Sequence, residues 1–131
     1  MKPHTAEWVT KAEGDWATAR REFKSPENPN HDAACFHAQQ CAEKYLKARL
    51  VEAGEPFPKT HDLSALLDLV LPLEPSWITL REALDRLTDL AVEVRYPGLA
   101  ADRNDAEQAL RTAETFRALA RKALGLESPT P

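Results

Sequence analysis

The chain has 131 residues, which is enough for one domain and not comfortably for two. Its 17 basic and 21 acidic residues give a formal net charge of −4, which argues against a broad non-specific nucleic-acid binder. The N-terminal segment is charged and lacks an apolar core, and no run approaches the ~18 apolar residues of a membrane span, so we expect a cytoplasmic protein without membrane contact.

The first predicted helix covers about Thr5 to Lys24, with Thr5 as a candidate N-cap. It ends before SPENPN, residues 25–30, because the two prolines of this segment cannot continue a helix. A stripe at steps of three and four residues predicts the face turned to the core: Trp8, Ala12, Trp16, Ala19 and Phe23.

The second predicted helix begins after Asn30, a capping residue, and ends near Ala53, with Gly54 as its stop. One face is apolar and consists of Ala34, Ala38, Cys41, Tyr45 and Ala48. Phe36 and Leu50 lie outside this face. A helix that is apolar on two sides is either central to a bundle or part of an interface, and the sequence leaves both open.

Three further helices follow the EPFPK connector, residues 55–59. Thr60 or His61 is predicted to begin the third helix, whose buried face consists of Leu63, Leu66, Leu67 and Val70. Ser76 is predicted to cap the fourth helix, whose apolar seam contains Trp77, Leu80, Leu84, Leu87, Ala91 and Val94. Asp102 and Asp105 open the fifth helix, which runs to about Leu124, and residues 125–131 are expected to fray.

The connectors between these helices have about four to seven residues, which favours antiparallel neighbours. No useful run of alternating apolar and polar residues predicts a strand. We therefore expect an all-α, antiparallel up-and-down bundle of about five helices, formed by residues 1–131 as one domain. Cys35 and Cys41 lie six residues apart on the second helix and point to different faces, so both are expected to be buried free thiols.

The second helix also carries a polar stripe at steps of three, four and three residues: His37, Gln40, Lys44 and Lys47. Its donors would converge on an anionic ligand, although an ordinary solvated face has the same pattern. His61 and Asp62 lie at the start of the predicted third helix. Asp62 in its first turn and Thr60 as its cap either only stabilise the helix, or the helix N-terminus binds an anion with help from His61. Arg95 is predicted to lie at the end of the fourth helix. The helix dipole favours a basic residue there, and Arg95 either has only this role or joins the same ligand site.

Metal and phosphate-loop chemistry are not indicated. The four histidines lie on different segments or at spacings that do not suit metal ligands, and no G-x-x-x-x-G-K-[ST] motif occurs. We expect neither a metal nor a cofactor.

Three segments in this order resemble the HEPN family: F-H-A-Q-Q-x-A-E-K-x-L-K-A from Phe36, T-H-D-L-x-x-L-L from Thr60, and V-R-Y-P-G from Val94. The resemblance covers most of the chain. It implies a helical bundle that forms a homodimer and associates with nucleotides. Many prokaryotic members are encoded beside a minimal nucleotidyltransferase, often as toxin–antitoxin pairs, so the resemblance also implies that partner.

RNA-cutting members of the family carry an arginine followed after four to six residues by a histidine. After Arg95 the corresponding positions hold Ala100, Ala101 and Asp102. Since metal-independent RNA cleavage needs groups that accept and donate protons, we expect no catalysis and do not expect RNA as a partner. Two alternatives stay open: a ribonuclease toxin that uses Arg95, His37 and His61 as a non-standard site, and a scaffold that only dimerises.

Overall fold

The structure, a computed structural model, describes residues 1–127. Within this range it consists of five α-helices and one short 3-10 helix, and it contains no strand. The helices are α1 (Pro3–Lys24), α2 (His31–Ala53), α3 (Leu63–Val70), the 3-10 helix (Pro75–Leu80), α4 (Arg81–Glu93) and α5 (Arg103–Ala123). They pack as an antiparallel bundle, which confirms the predicted fold class. No helix in residues 1–127 has the length and apolar character needed to cross a membrane.

Helix α2 lies at the centre of the bundle and packs against α1, α3, α4 and α5. Leu50 is fully buried within the single chain, and Phe36 is half-buried. The apolar residues outside the main stripe of α2 are therefore explained by its central position. Formation of a homodimer stays a prediction.

The start of α1 differs from the prediction, because Lys2 is the N-cap and Pro3 occupies the first helical turn. Thr5, the predicted cap, lies inside α1 and is buried. Its hydroxyl donates to Glu52 Oε1 at 2.9 Å, and the backbone N–H of Lys2 donates to the same oxygen at 3.0 Å. Thr5 therefore joins the start of α1 to the end of α2.

The bounds of α2 were predicted correctly. The Asn30 side chain accepts a hydrogen bond from the backbone N–H of Ala33 at 2.9 Å, which caps the helix. Gly54 ends it in the left-handed conformation, with φ of 73°, and its backbone N–H donates to the last turn. Cys35 and Cys41 are free and buried, as expected.

The third and fourth helices begin later than predicted. Asp62, and not Thr60 or His61, is the N-cap of α3, and its carboxylate accepts from the backbone N–H of Ser64 at 2.9 Å. Ser76 does not cap α4, because Pro75 instead begins the 3-10 helix and α4 follows it at Arg81. The predicted apolar positions of α3 are all fully buried: Leu63, Leu66, Leu67 and Val70.

Helix α5 begins with the predicted capping box, in which Asp102 and Asp105 each accept a hydrogen bond from the backbone N–H of the other. The loop before it is attached to α2, because the Asp32 carboxylate accepts from the backbone N–H of Ala101 at 2.7 Å. Of the predicted frayed tail, residues 128–131 lie outside the described range. Before them, the backbone N–H of Leu126 donates to Arg121 O at 2.8 Å.

Candidate functional site

The polar stripe of α2 divides into two groups of side chains, each built around a carboxylate. In the first group, Asp15 of α1 accepts two hydrogen bonds from α2. His37 Nδ1 lies 2.8 Å from Asp15 Oδ1, and Lys44 Nζ lies 2.5 Å from Asp15 Oδ2. We call these three residues the Asp15 group. His37 and Lys44 are seven residues apart, which places both on the side of α2 that faces α1.

The second group surrounds Glu43, whose side chain is only 2% exposed. Lys47 Nζ donates to Glu43 Oε2 at 3.0 Å, and His61 Nδ1 lies 2.9 Å from Glu43 Oε1. The side-chain amides of Gln39 and Gln40 each lie 3.4 Å from the same Oε1. We call these five residues the Glu43 group. A buried carboxylate with so many donors is compensated electrostatically, as burial of a charge requires.

The connector before α3 brings His61 to α2. Gln39 Nε2 donates to the backbone carbonyl of His61 at 2.8 Å, while the His61 side chain is 69% exposed. His61 therefore presents its second ring nitrogen, Nε2, at the protein surface. Since the Asp62 carboxylate already caps α3, the start of this helix is less attractive to an anion than the sequence suggested.

Lys47 is enclosed by aromatic rings as well as by Glu43. Its ammonium lies 5.4 Å from the ring centroid of Trp8 and 5.9 Å from that of Phe57, a residue of the connector. The connector is therefore held against α2 both by these contacts and by the bonds of His61.

Arg95 does not end α4 as predicted, because the helix stops at Glu93 and Arg95 lies in the turn after it, from which it reaches α2 within the same chain. Its guanidinium carbon lies 5.4 Å from the centroid of the Phe36 ring, which in turn meets the His37 ring edge-on at 5.2 Å. All six residues predicted to bind a ligand thus touch α2 or lie on it. Lys44 and Lys47, however, are already paired with acids, so an anion would have to share these cations with Asp15 and Glu43.

Three members of this site were missed at the sequence level: Asp15, Gln39 and Glu43. Glu43 and Lys47 have the i, i+4 spacing of a helical ion pair, which was a usable signal. Asp15 gave no such signal, because it lies on a different helix from His37 and Lys44.

Each carboxylate holds one imidazole, which produces the pairs Asp15–His37 and Glu43–His61. His37 and Glu43 are six residues apart on α2, which corresponds to about 9 Å along the helix axis. A carboxylate bound to Nδ1 orients the ring and leaves Nε2 to accept or donate a proton. The arrangement has the parts for proton transfer, although it lacks the family's arginine–histidine spacing.

A third carboxylate, Glu13 of α1, connects three helices. Arg117 of α5 binds it through two hydrogen bonds of 2.7 and 2.6 Å, and the Tyr45 hydroxyl of α2 also donates to it. Burial opposes ionisation of Glu13, but the hydrogen bonds from Arg117 and Tyr45 outweigh it and lower the pKa of this carboxyl. The same contacts with Glu13 raise the pKa of Arg117. These contacts stabilise the packing of α1 and α5 on α2.

The lowered pKa of Glu13 makes a pH-dependent contribution to stability. Because the folded-state pKa lies below the ordinary value of 4.5, the contribution is complete above that value and is lost as pH falls through the folded-state pKa. We expect the difference in urea midpoint between the wild type and Glu13→Gln to shrink as pH is lowered from neutral into this range. A difference that is constant over the same range would contradict the assignment.

The thiols are not suited to nucleophilic or metal chemistry. Burial, assisted by nearby acids, raises the pKa of Cys35 to about 12, and burial raises that of Cys41 as well. In the described part of the chain, no three His, Cys, Asp or Glu side chains are grouped so that they could hold a metal ion.

Two solved structures resemble this fold. The crystal structure of TT1696 from Thermus thermophilus is 24% identical in sequence, with a TM-score of 0.77, and the match covers 93% of this chain and 99% of that one. The crystal structure of ST0689, described as an archaeal HEPN homologue, is 25% identical, with a TM-score of 0.70 and coverage of 93% and 98%. A comparison with curated proteins finds no match. The HEPN domain model matches residues 5–123, nearly the whole described chain. This chain therefore belongs to the HEPN domain family.

Proposed function

We propose that this protein is a non-catalytic, nucleotide-associated interaction module. In this proposal it acts in the cytoplasm as a homodimer beside a minimal nucleotidyltransferase, as one half of a toxin–antitoxin-like pair. The partner and the dimer are inferred from the HEPN family, and the nucleotide site is inferred from the side chains of α2. The observation that carries the site is the Asp15 group together with the adjacent Arg95 and Phe36.

The donors of this region are not all used. Lys44 has three N–H groups, of which Asp15 takes one, and Nε2 of both His37 and His61 has no partner among the described residues. Lys44 and these imidazoles would bind phosphate oxygens. Phe36 lies eight residues from Lys44, about 12 Å along the axis of α2. Its ring, with Arg95 above it, would contact the base of a nucleotide whose phosphates reach Lys44.

Titration calorimetry with ATP tests this site. We expect micromolar-to-millimolar affinity, roughly −4 to −8 kcal/mol. Lys44→Ala should weaken binding by about tenfold, since it removes a charge-assisted contact, and added salt should weaken it further. Lys11→Ala removes an equal charge from an exposed position on α1 and should leave the affinity unchanged. No detectable binding at millimolar ATP, or equal weakening by both variants, would reject the site.

A ribonuclease is the second candidate, and the two carboxylate–imidazole pairs favour it. One imidazole would remove the proton from the attacking 2′-hydroxyl, and the other would protonate the leaving oxygen. Incubation of RNA with the purified protein and a chelator separates the two functions. Our proposal predicts no cleavage. Cleavage that is lost in His37→Gln, His61→Gln and Arg95→Ala would replace it with the ribonuclease.

The dimer is tested by light scattering at micromolar concentration, for which we expect twice the mass of one chain. A mass that equals one chain throughout would remove the dimer from the proposal. It would not affect the α2 site, whose described contacts all lie within one chain.

A further inference from the structure

A groove of about 350 Å³ lies between α4 and α5, and the residues that line it include none from α2. This volume falls within the usual range for small-molecule sites. Its apolar surface is supplied by Leu80, Ala83, Leu87, Leu90 and Ala109, and its polar surface by Arg86, Gln108, Arg111, Thr112 and Thr115.

The groove exists because small side chains stand where the two helices face each other. Ala83 of α4 and Ala109 of α5 both line it, and their methyl groups occupy little of the space between the two helices. Leu87 and Ala109 are almost fully buried, so the accessible apolar surface of the groove comes from the partly exposed Leu80, Ala83 and Leu90. Against these side chains an apolar group of a ligand would be removed from water.

The charge of the groove is opposite in sign to that of the chain. The chain has a net charge of −4, yet the residues that line the groove include two arginines and no carboxylate. Within residues 1–127, the arginines found in ion pairs are Arg49, Arg81, Arg103, Arg117 and Arg121. Arg86 and Arg111 are not among them and are exposed. Unlike Lys44 and Lys47, they would not have to break an ion pair with a carboxylate in order to bind an anion.

We propose that this groove binds a phosphate monoester that carries an apolar or aromatic group. The apolar group lies against Leu80, Ala83 and Leu90, and the phosphate accepts hydrogen bonds from Arg86 and Arg111. A phosphate has three terminal oxygens, which suits two guanidinium groups together with the hydroxyls of Thr112 and Thr115. The ligand is either a nucleotide or a smaller aromatic phosphate, since both have this chemistry. The proposal uses no residue of the α2 site and goes beyond the function proposed above.

Phenyl phosphate is the probe, added to the 15N-labelled full chain while amide signals are recorded by two-dimensional NMR. We expect signals from α4 and α5 around the groove to shift, with saturation in the millimolar range. Inorganic phosphate and phenol each lack one half of the ligand and should bind about tenfold more weakly or not at all. Groove shifts with AMP at equal or lower concentration would support the proposal with a nucleotide as the ligand. Groove shifts with phenyl phosphate alone would support it with a smaller phosphate.

Substitutions then separate the contribution of the two arginines from that of the apolar groove. Arg86→Gln and Arg111→Gln are each expected to weaken phenyl phosphate binding about fivefold or more, while Lys11→Gln, a matched loss of charge on α1, leaves it unchanged. Ala83→Leu should block the groove without changing its charge. If Ala83→Leu fails to fold, the two arginine variants still decide, since both residues are exposed.

Absence of groove shifts at millimolar phenyl phosphate would overturn the proposal, as would shifts that both arginine variants leave unchanged. Shifts confined to α2 around His37 and Lys44 would also overturn it, while supporting the site assigned under the proposed function. Shifts confined to the groove would support the proposal and would leave the α2 site to its own test with ATP, so failure of the two sites can be told apart.

Discussion

Replacement of Glu43 by alanine is expected to lower the free energy of unfolding by about 3–5 kcal/mol. Lys47, whose side chain is 9% exposed, then keeps its ammonium beside the aromatic rings without its carboxylate partner. The variant also removes the acceptor of His61 and of two glutamine amides. Equilibrium unfolding in urea measures the loss.

Two controls show whether the loss comes from an unpaired charge. Glu114→Ala removes an exposed acid of α5 and should change stability by less than about 0.5 kcal/mol. The double variant Glu43→Leu, Lys47→Met removes both charges and should recover most of the loss, because a buried ion pair adds little net stability over apolar residues of similar size. A loss below about 1 kcal/mol in Glu43→Ala would mean that Lys47 reaches water when its partner is absent.

Leu50→Ala is expected to cost about 2–5 kcal/mol, since it removes a fully buried side chain and leaves a cavity at the centre of the bundle. The comparison variant is Val92→Ala at a position that is 45% exposed, for which we expect a change within about 0.5 kcal/mol. Because Leu50 is buried within one chain, the loss should not depend on protein concentration. A loss that grows on dilution would place Leu50 in a dimer interface instead.

The helices were largely predictable because their ends carry local signals. Asn30, Gly54 and the Asp102–Asp105 capping box each act on the nearest turn of backbone, so residues close in sequence determine them. The prediction that Thr5 caps α1 was wrong for a physical reason. Thr5 is a good capping residue, but Glu52, which is 47 residues away, binds its hydroxyl, and Pro3 already fits the first turn.

The site was predictable in part. Helical spacing placed His37 and Lys44 on one side of α2, and in the structure both contact Asp15. That partner, Asp15, is 22 residues from His37, and its role depends on how α1 packs against α2. Glu43 is not marked by the periodicity of α2, and its contact with His61 depends on how the connector before α3 packs against α2. Periodicity gives the face of a helix, whereas tertiary packing decides what covers that face.

The central claim is that the polar stripe of α2 binds a nucleotide and that the protein does not cleave RNA. Two-dimensional NMR of the 15N-labelled protein with ATP tests nucleotide binding most directly. The proposal predicts saturable shifts of the amide signals of Phe36, His37, Gln40 and Lys44, which Lys44→Ala reduces and Lys11→Ala does not. It also predicts shifts at His61 and Arg95, which border this stripe. An unchanged spectrum of α2 at millimolar ATP would contradict the account.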